Sequence, residues 1–75
     1  AVQVGAFADP RNAEALKEAI APHFGPVMIQ TFDRGDGVFH RVRVGREKTE
    51  ESAQNLARQL RQAGFATQTF VVRLD

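Results

Sequence analysis

The chain has 75 residues, 43% of them hydrophobic and 25% charged, which is enough for one compact domain around a single core and too little for two. Ten Lys and Arg against nine Asp and Glu give a formal net charge of +1, which argues against an electrostatic nucleic-acid binder; no apolar stretch approaches the ~18–20 residues of a membrane span. Cysteine is absent, which removes disulfide and thiol chemistry and fits a reducing or an oxidising compartment equally.

Residues 2 to 7, VQVGAF, alternate Val2, Val4 and Ala6 against Gln3, Gly5 and Phe7, which predicts a strand with one face on a core. In the following ADPRNAEALKEAIAPHFG, Asp9 can cap a helix and Pro10 suits its first position. Ala13, Leu16, Ala19 and Ile20 give that helix an apolar stripe, and Pro22 and Gly25 close it. Residues 27 to 32, VMIQTF, predict a second strand, and DRGDG a hairpin loop in which Gly35 and Gly37 can supply positive φ. The hairpin returns through VFHRVRVG, with His40, Val42 and Val44 on one side and Phe39, Arg41 and Arg43 on the other. A second helix starts near Thr49, a cap followed by Glu50 and Glu51 at the positive end of the helix dipole. Its stripe is Ala53, Leu56, Ala57 and Leu60, with Arg58 and Arg61 in its last turns and Gly64 as the stop. Residues 66 to 73 predict a fourth strand.

The order is β-α-β-β-α-β, and it repeats internally: at a lag of 40, Val2, Val4, Gly5, Ala13, Leu16 and Ile20 align with Val42, Val44, Gly45, Ala53, Leu56 and Leu60. Halves too small to bury their own apolar faces are best satisfied by an α+β, ferredoxin-like (RNP-like) domain: a four-stranded antiparallel sheet with both helices on one face and the other face open. The central pair would be the first and third strands, so Gln3 and Gly5 are expected beside Phe39, Arg41 and Arg43 at the middle of the open face. Gly5 and Gly45 would leave a shallow depression there. Met28 and Gln30 are expected toward one outer edge and Thr69 on the other outer strand, also on the open face. The chain opens inside one expected strand and closes just past another, so residues 1–75 are read as a single domain excised from a longer protein.

With these residues placed, the sequence resembles the SPOR domain, the sporulation-related repeat that binds bacterial cell-wall peptidoglycan. VQVGAF near the start, the Ala- and Leu-rich first helix, RVRVG just after mid-chain and AGF after the second helix stand where that family has them, and the resemblance spans the whole chain. Departures are Arg46, where the family commonly has Pro, and Ala6, where it often carries a ligand-contacting serine; Ala6 would contribute only backbone or close packing. The resemblance implies a non-catalytic module that binds GlcNAc-MurNAc glycan strands stripped of their stem peptides and carries its parent protein to the division septum. It also implies a periplasmic location, an outer-membrane lipoprotein anchor in an N-terminal part outside this sequence, and a lytic transglycosylase domain in the parent protein. Membrane contact by the domain itself is not expected, nor is a nucleic-acid partner or a cofactor, and the expected state is a monomer. Within that reading Phe39 would stack on a sugar ring and Gln3 would bond its hydroxyls. Arg41 would pair with the lactyl carboxylate that amidase cleavage frees on N-acetylmuramic acid, whereas an intact stem peptide offers a neutral, bulky amide. Arg43, Gly5, Ala6, Met28, Gln30 and Thr69 complete the expected glycan-binding set.

Other readings of the same residues are plainer. Arg41 and Arg43 can keep an exposed sheet soluble, and Gln3, Phe39 and Thr69 can be ordinary strand residues. His40 falls in phase with Val42 and Val44, and His23 lies in a helix-exit loop, so the pair has no metal-ligand spacing and no metal is expected. Turn chemistry explains Asp33 and Asp36, no helix follows GDG to make it a phosphate loop, and Ser52 sits in a helix first turn without a base. The alternative function is an RNA-recognition-motif-like module, since that module shares the layout and stacks bases on its two central strands; here those strands would offer only Phe39 and Phe7. A third is a small regulatory domain that dimerises through its sheet to hold a metabolite.

Overall fold

The computed structural model describes residues 1–72 and has the element order β1 (Val2–Phe7), α1 (Pro10–Ile20), β2 (Val27–Asp33), β3 (Val38–Val44), α2 (Glu50–Gln62) and β4 (Phe70–Val71). The strands form one antiparallel sheet in the order β2-β3-β1-β4, so β1 and β3 are the central pair, as the repeat requires.

Each helix begins where its cap dictates. Asp9 takes extended backbone angles and its carboxylate accepts the Arg11 N–H at 2.9 Å, with Pro10 in the first turn. The Arg11 guanidinium returns to the same carboxylate, and its hydrogen bonds hold the Asp9 pKa below the ordinary value of 3.8. Thr49 caps α2 by accepting the Ser52 N–H at 3.1 Å, with Glu50 and Glu51 in the first turn.

The helices cover one face of the sheet. Val2, Val4, Val42 and Val44 meet Ala13 and Ile20 of α1 and Ala53, Ala57 and Leu60 of α2 in one cluster. Fully burying residues such as Ile20, Leu60, Val2, Val42 and Val44 stabilises the fold by about 1.5–3 kcal/mol each relative to exposure. Leu16, Leu56, Val27, Ile29, Phe24 and Phe65 pack around it, whereas Ala19, expected in the α1 stripe, is exposed.

The internal repeat is visible in the packing. A Cβ on Gly5 would stand 3.6 Å from Leu16, and a Cβ on Gly45 would stand 2.6 Å from Leu56, the repeat-equivalent leucine. Each half thus presses one leucine onto its own glycine, and both contacts lie on the helix side. The depression expected from these glycines on the open face is therefore not there.

At Gly5 this traces to a β-bulge. In the β1–β3 ladder Val2 faces Val44 and Gln3 faces Arg43, but the register then shifts so that Gly5 faces Val42, Ala6 faces Arg41 and Phe7 faces His40. One extra residue on β1 reverses the alternation beyond it. Val4 and Gly5 both oppose Val42 on the helix side, Phe7 turns in to pack at the core, and Ala6, expected inside, is exposed on the open face.

Two further expectations are corrected. The sequence predicts the fourth strand over 66–73, but its ladder is confined to Phe70–Val71, extended by reciprocal bonds between Ala1 and Val72 at 2.9 and 2.8 Å; Arg73 lies outside the described residues. Of the hairpin glycines only Gly35 takes a positive φ, 86°. The loop is closed by the Asp33 carboxylate accepting the Gly35 N–H at 2.8 Å and by the Arg34 N–H donating to the Gly37 carbonyl at 2.9 Å, which gives Asp33 the turn role its sequence context implied.

Candidate functional site on the open sheet face

Strand register assigns every outward side chain. Across one row lie Phe70, Gln3, Arg43 and Met28, from β4 to β2. Ala6, Arg41 and Gln30 form the next, and Phe39 with Phe32 the last. Gln3, Ala6, Met28, Gln30, Phe39, Arg41 and Arg43 thus share one surface, as the expected set requires. Gly5 does not, because the bulge turns it toward Leu16.

Thr69 is the second residue that the structure places elsewhere. Phe70 pairs with Gln3 and takes the outward position, so Thr69 falls on the helix side, where its hydroxyl accepts a hydrogen bond from the Arg61 guanidinium of α2. The outward residue is its neighbour Phe70, 58% exposed. Phe32, 43% exposed, is the other outward aromatic outside the expected set. Its period-two spacing from Met28 and Gln30 already carried the signal. That for Phe70 was weaker, since one step of register separates it from Thr69.

The face has a distinct electrostatic character. Its outward positions hold Arg41 and Arg43 and no carboxylate among the described residues, although the whole chain is close to neutral. The two guanidiniums are held differently. Arg43 donates to the Gln30 side-chain carbonyl, and its Nε is buried with no hydrogen-bond partner, so this arginine lies down on the sheet. Arg41 lies over the Phe32 ring, with Cζ 4.2 Å from the ring centroid, and none of its guanidinium N–H groups hydrogen-bonds to a described residue. A guanidinium lying on a ring keeps its donor edge available, so Arg41 is the better placed of the two to receive an anionic oxygen.

The aromatics divide toward the ends of the face. Phe32 and Phe39 form a cross-strand pair at the hairpin end, where Arg34 lies over Phe39 at 5.8 Å, and Phe70 stands near the opposite corner. Gln3 and Phe39 are separated by four residues along β3, about 13 Å at the usual rise per strand residue, so one sugar ring cannot touch both but an extended oligomer can. Ala6, with only a methyl group beside Arg41, makes the low point between them. Phe7 turns inward, which leaves β1 with no outward aromatic and removes one of the two stacking positions that a base-binding sheet would use.

The SPOR domain sequence profile matches residues 1–73. Among solved structures, the chain is similar to the RlpA SPOR domain from Pseudomonas aeruginosa, with 34% identity and a TM-score of 0.83 over 96% of this chain and 95% of that one. The segments PVMIQTF and FHRVRVG likewise resemble the C-terminal SPOR domain of rare lipoprotein A. No curated protein sequence matches the chain. Nothing in these matches supports the RNA-binding alternative.

Proposed function

The chain belongs to the SPOR domain family, and on that premise we propose that its open sheet face binds peptidoglycan glycan strands lacking stem peptides and so carries the parent protein to the division septum. SPOR domains are non-catalytic peptidoglycan-binding modules of bacterial envelope proteins. The finer reading is supported above all by Arg41: a guanidinium with its donor edge free of the described residues, on a face whose described outward positions hold no carboxylate, beside a side chain no larger than methyl. A strand freed of its peptides presents a lactyl carboxylate, which a guanidinium binds by charge-assisted, directional hydrogen bonds. A strand with peptides presents a neutral amide and a bulky chain at the same point, which removes the attraction and crowds the low ground over Ala6.

In this reading Gln3, Gln30 and Arg43 meet sugar hydroxyls, Phe39 stacks on a ring and Met28 gives apolar contact. On the same reading the domain works as a monomer, and the face that meets glycan is not a dimer interface. Its place is the periplasm, within a longer protein held to the outer membrane by a lipid anchor and bearing a lytic transglycosylase domain.

Co-sedimentation with purified sacculi, before and after amidase digestion, tests this directly. Retention should rise on amidase treatment, and Arg41→Ala should lower affinity for treated sacculi by about tenfold, the scale of one hydrogen-bonded charge. Arg46→Ala, on an exposed connection, should leave it unchanged. Equal retention on treated and untreated sacculi would remove the specificity for stripped strands, and equal losses in the two variants would remove the role given to Arg41.

A further inference from the structure

Strand β2 meets the glycan face mostly from its edge, yet its side chains decide where the arginines of β3 go. Arg43 stands opposite Met28 but leans one pair along to bond Gln30; Arg41 stands opposite Gln30 but leans one pair along to lie over Phe32. Both guanidiniums are tilted in the same direction, like teeth of a comb, and β2 supplies the stops. Without stops, two cations two residues apart on one strand face, with no carboxylate beside them among the described residues, would repel and sample many rotamers.

We infer that Phe32 is a positioning residue: its ring fixes the Arg41 guanidinium so that the donor edge is presented to a ligand carboxylate, and selectivity for stripped strands depends on it. This rests on the carboxylate reading above and extends it to a residue outside the expected set. The ring is 43% exposed, too open for a core anchor, and its face toward Arg41 is already taken, so direct stacking on sugar is not its main role. A ring offers an arginine two things that an aliphatic side chain of similar bulk lacks, a negative π face and a flat surface matched to the guanidinium plane.

The test combines a ligand-free and a ligand-bound readout on the wild type, Phe32→Leu, Phe32→Tyr, Arg41→Ala and the Phe32→Leu/Arg41→Ala pair. In the free protein, the Arg41 Nε–H proton resonance should be shifted by the ring current, lose that shift in Phe32→Leu and keep it in Phe32→Tyr. In sacculus binding, Phe32→Leu should weaken retention on amidase-treated material about two- to fivefold, the scale of a partly exposed cation–π contact, with less effect on untreated material. In the Arg41→Ala background Phe32→Leu should cost nothing more, because Phe32 acts through Arg41. An unchanged Arg41 resonance in Phe32→Leu, or losses that add in the double variant, would overturn the inference. If the resonance behaves as expected while Arg41→Ala leaves amidase dependence untouched, the carboxylate reading fails, and with it selectivity through Phe32, while the docking of Arg41 on the ring stands.

Discussion

Substituting Gly45 by alanine should be among the most damaging single-methyl changes available to this fold. Gly45 follows β3 with φ at +84°, donates its N–H to the Pro26 carbonyl at 2.7 Å, and lies where an added Cβ would stand 2.6 Å from a Leu56 methyl carbon and 3.3 Å from Glu47 Oε1. A left-handed backbone costs an ordinary L-residue about 1–2 kcal/mol. The methyl contact is with the end of a half-buried side chain that can move aside, at about 0.5–1.5 kcal/mol of off-rotamer strain. Together these make about 1.5–3.5 kcal/mol, against a total of roughly 4–11 kcal/mol for a domain of this length. Gly64 separates the two contributions, since it has the same φ, +84°, but nothing within 4 Å of its added Cβ. Urea unfolding followed by circular dichroism should show the midpoint falling about 1.5–3.5 M for Gly45→Ala and, by about 0.5–1.5 M less, about 1–2 M for Gly64→Ala, for an m-value near 1 kcal/mol/M. In a Leu56→Ala background the additional cost at Gly45 should disappear. Equal midpoints for the two glycine variants would refute the claim that Leu56 closes over Gly45.

Further expectations follow from the same geometry. Ala6→Leu should leave the unfolding midpoint nearly unchanged while reducing sacculus retention, because the bulge turns this position outward; a loss of about 1–3 kcal/mol, the usual cost of overpacking, would mean that Ala6 faces the core after all. Thr49→Ala should lower stability by about 1 kcal/mol, read by calorimetry as a drop of about 4–8 °C in Tm, whereas Ser52→Ala leaves the backbone cap in place and should cost less. Asp9 contributes a pH dependence of known sign. Its folded pKa is lowered by Arg11, so its contribution is complete above the ordinary value of 3.8 and is lost as pH falls through the folded value. Urea midpoints measured across acid pH should decline less steeply in Asp9→Asn than in the wild type, and parallel slopes would contradict the assignment.

The elements were legible because each has a local cause that the residue string states outright: Asp9-Pro10 and Thr49 open helices, and alternating Val42 and Val44 mark a strand with one face buried. The central pairing followed from the repeat. What was not legible is where the alternation of β1 breaks. Val-Gln-Val-Gly-Ala-Phe reads as an unbroken period of two, and only the presence of Gly5 inside the strand hinted at a bulge, a hint that a close approach of backbone and helix accounts for equally well. Both turned out to hold at that residue. The cost of missing the bulge is specific: strict alternation puts Gly5, Ala6 and Phe7 on the wrong face, at odds with Ala6's own place in the expected binding set, while Gln3, before the shift, comes out correctly. At β4 the difficulty was register, because a strand with a two-residue ladder carries too little pattern to tell Thr69 from Phe70. Hydroxyl chemistry favoured Thr69, but Arg61 draws that hydroxyl toward α2.

The bulge also has a consequence for direction. Had the duplicated halves kept the same strand geometry, the backbone of the sheet would carry an approximate dyad, and only the outward side chains would tell one direction of a linear polymer from the other. The extra residue between Gln3 and Gly5 exists in one half alone, so the dyad is broken at the centre of the surface where such a polymer would lie. On the binding mode proposed above, a saccharide chain with chemically distinct ends would meet a surface whose backbone, as well as its side chains, has a polarity of its own.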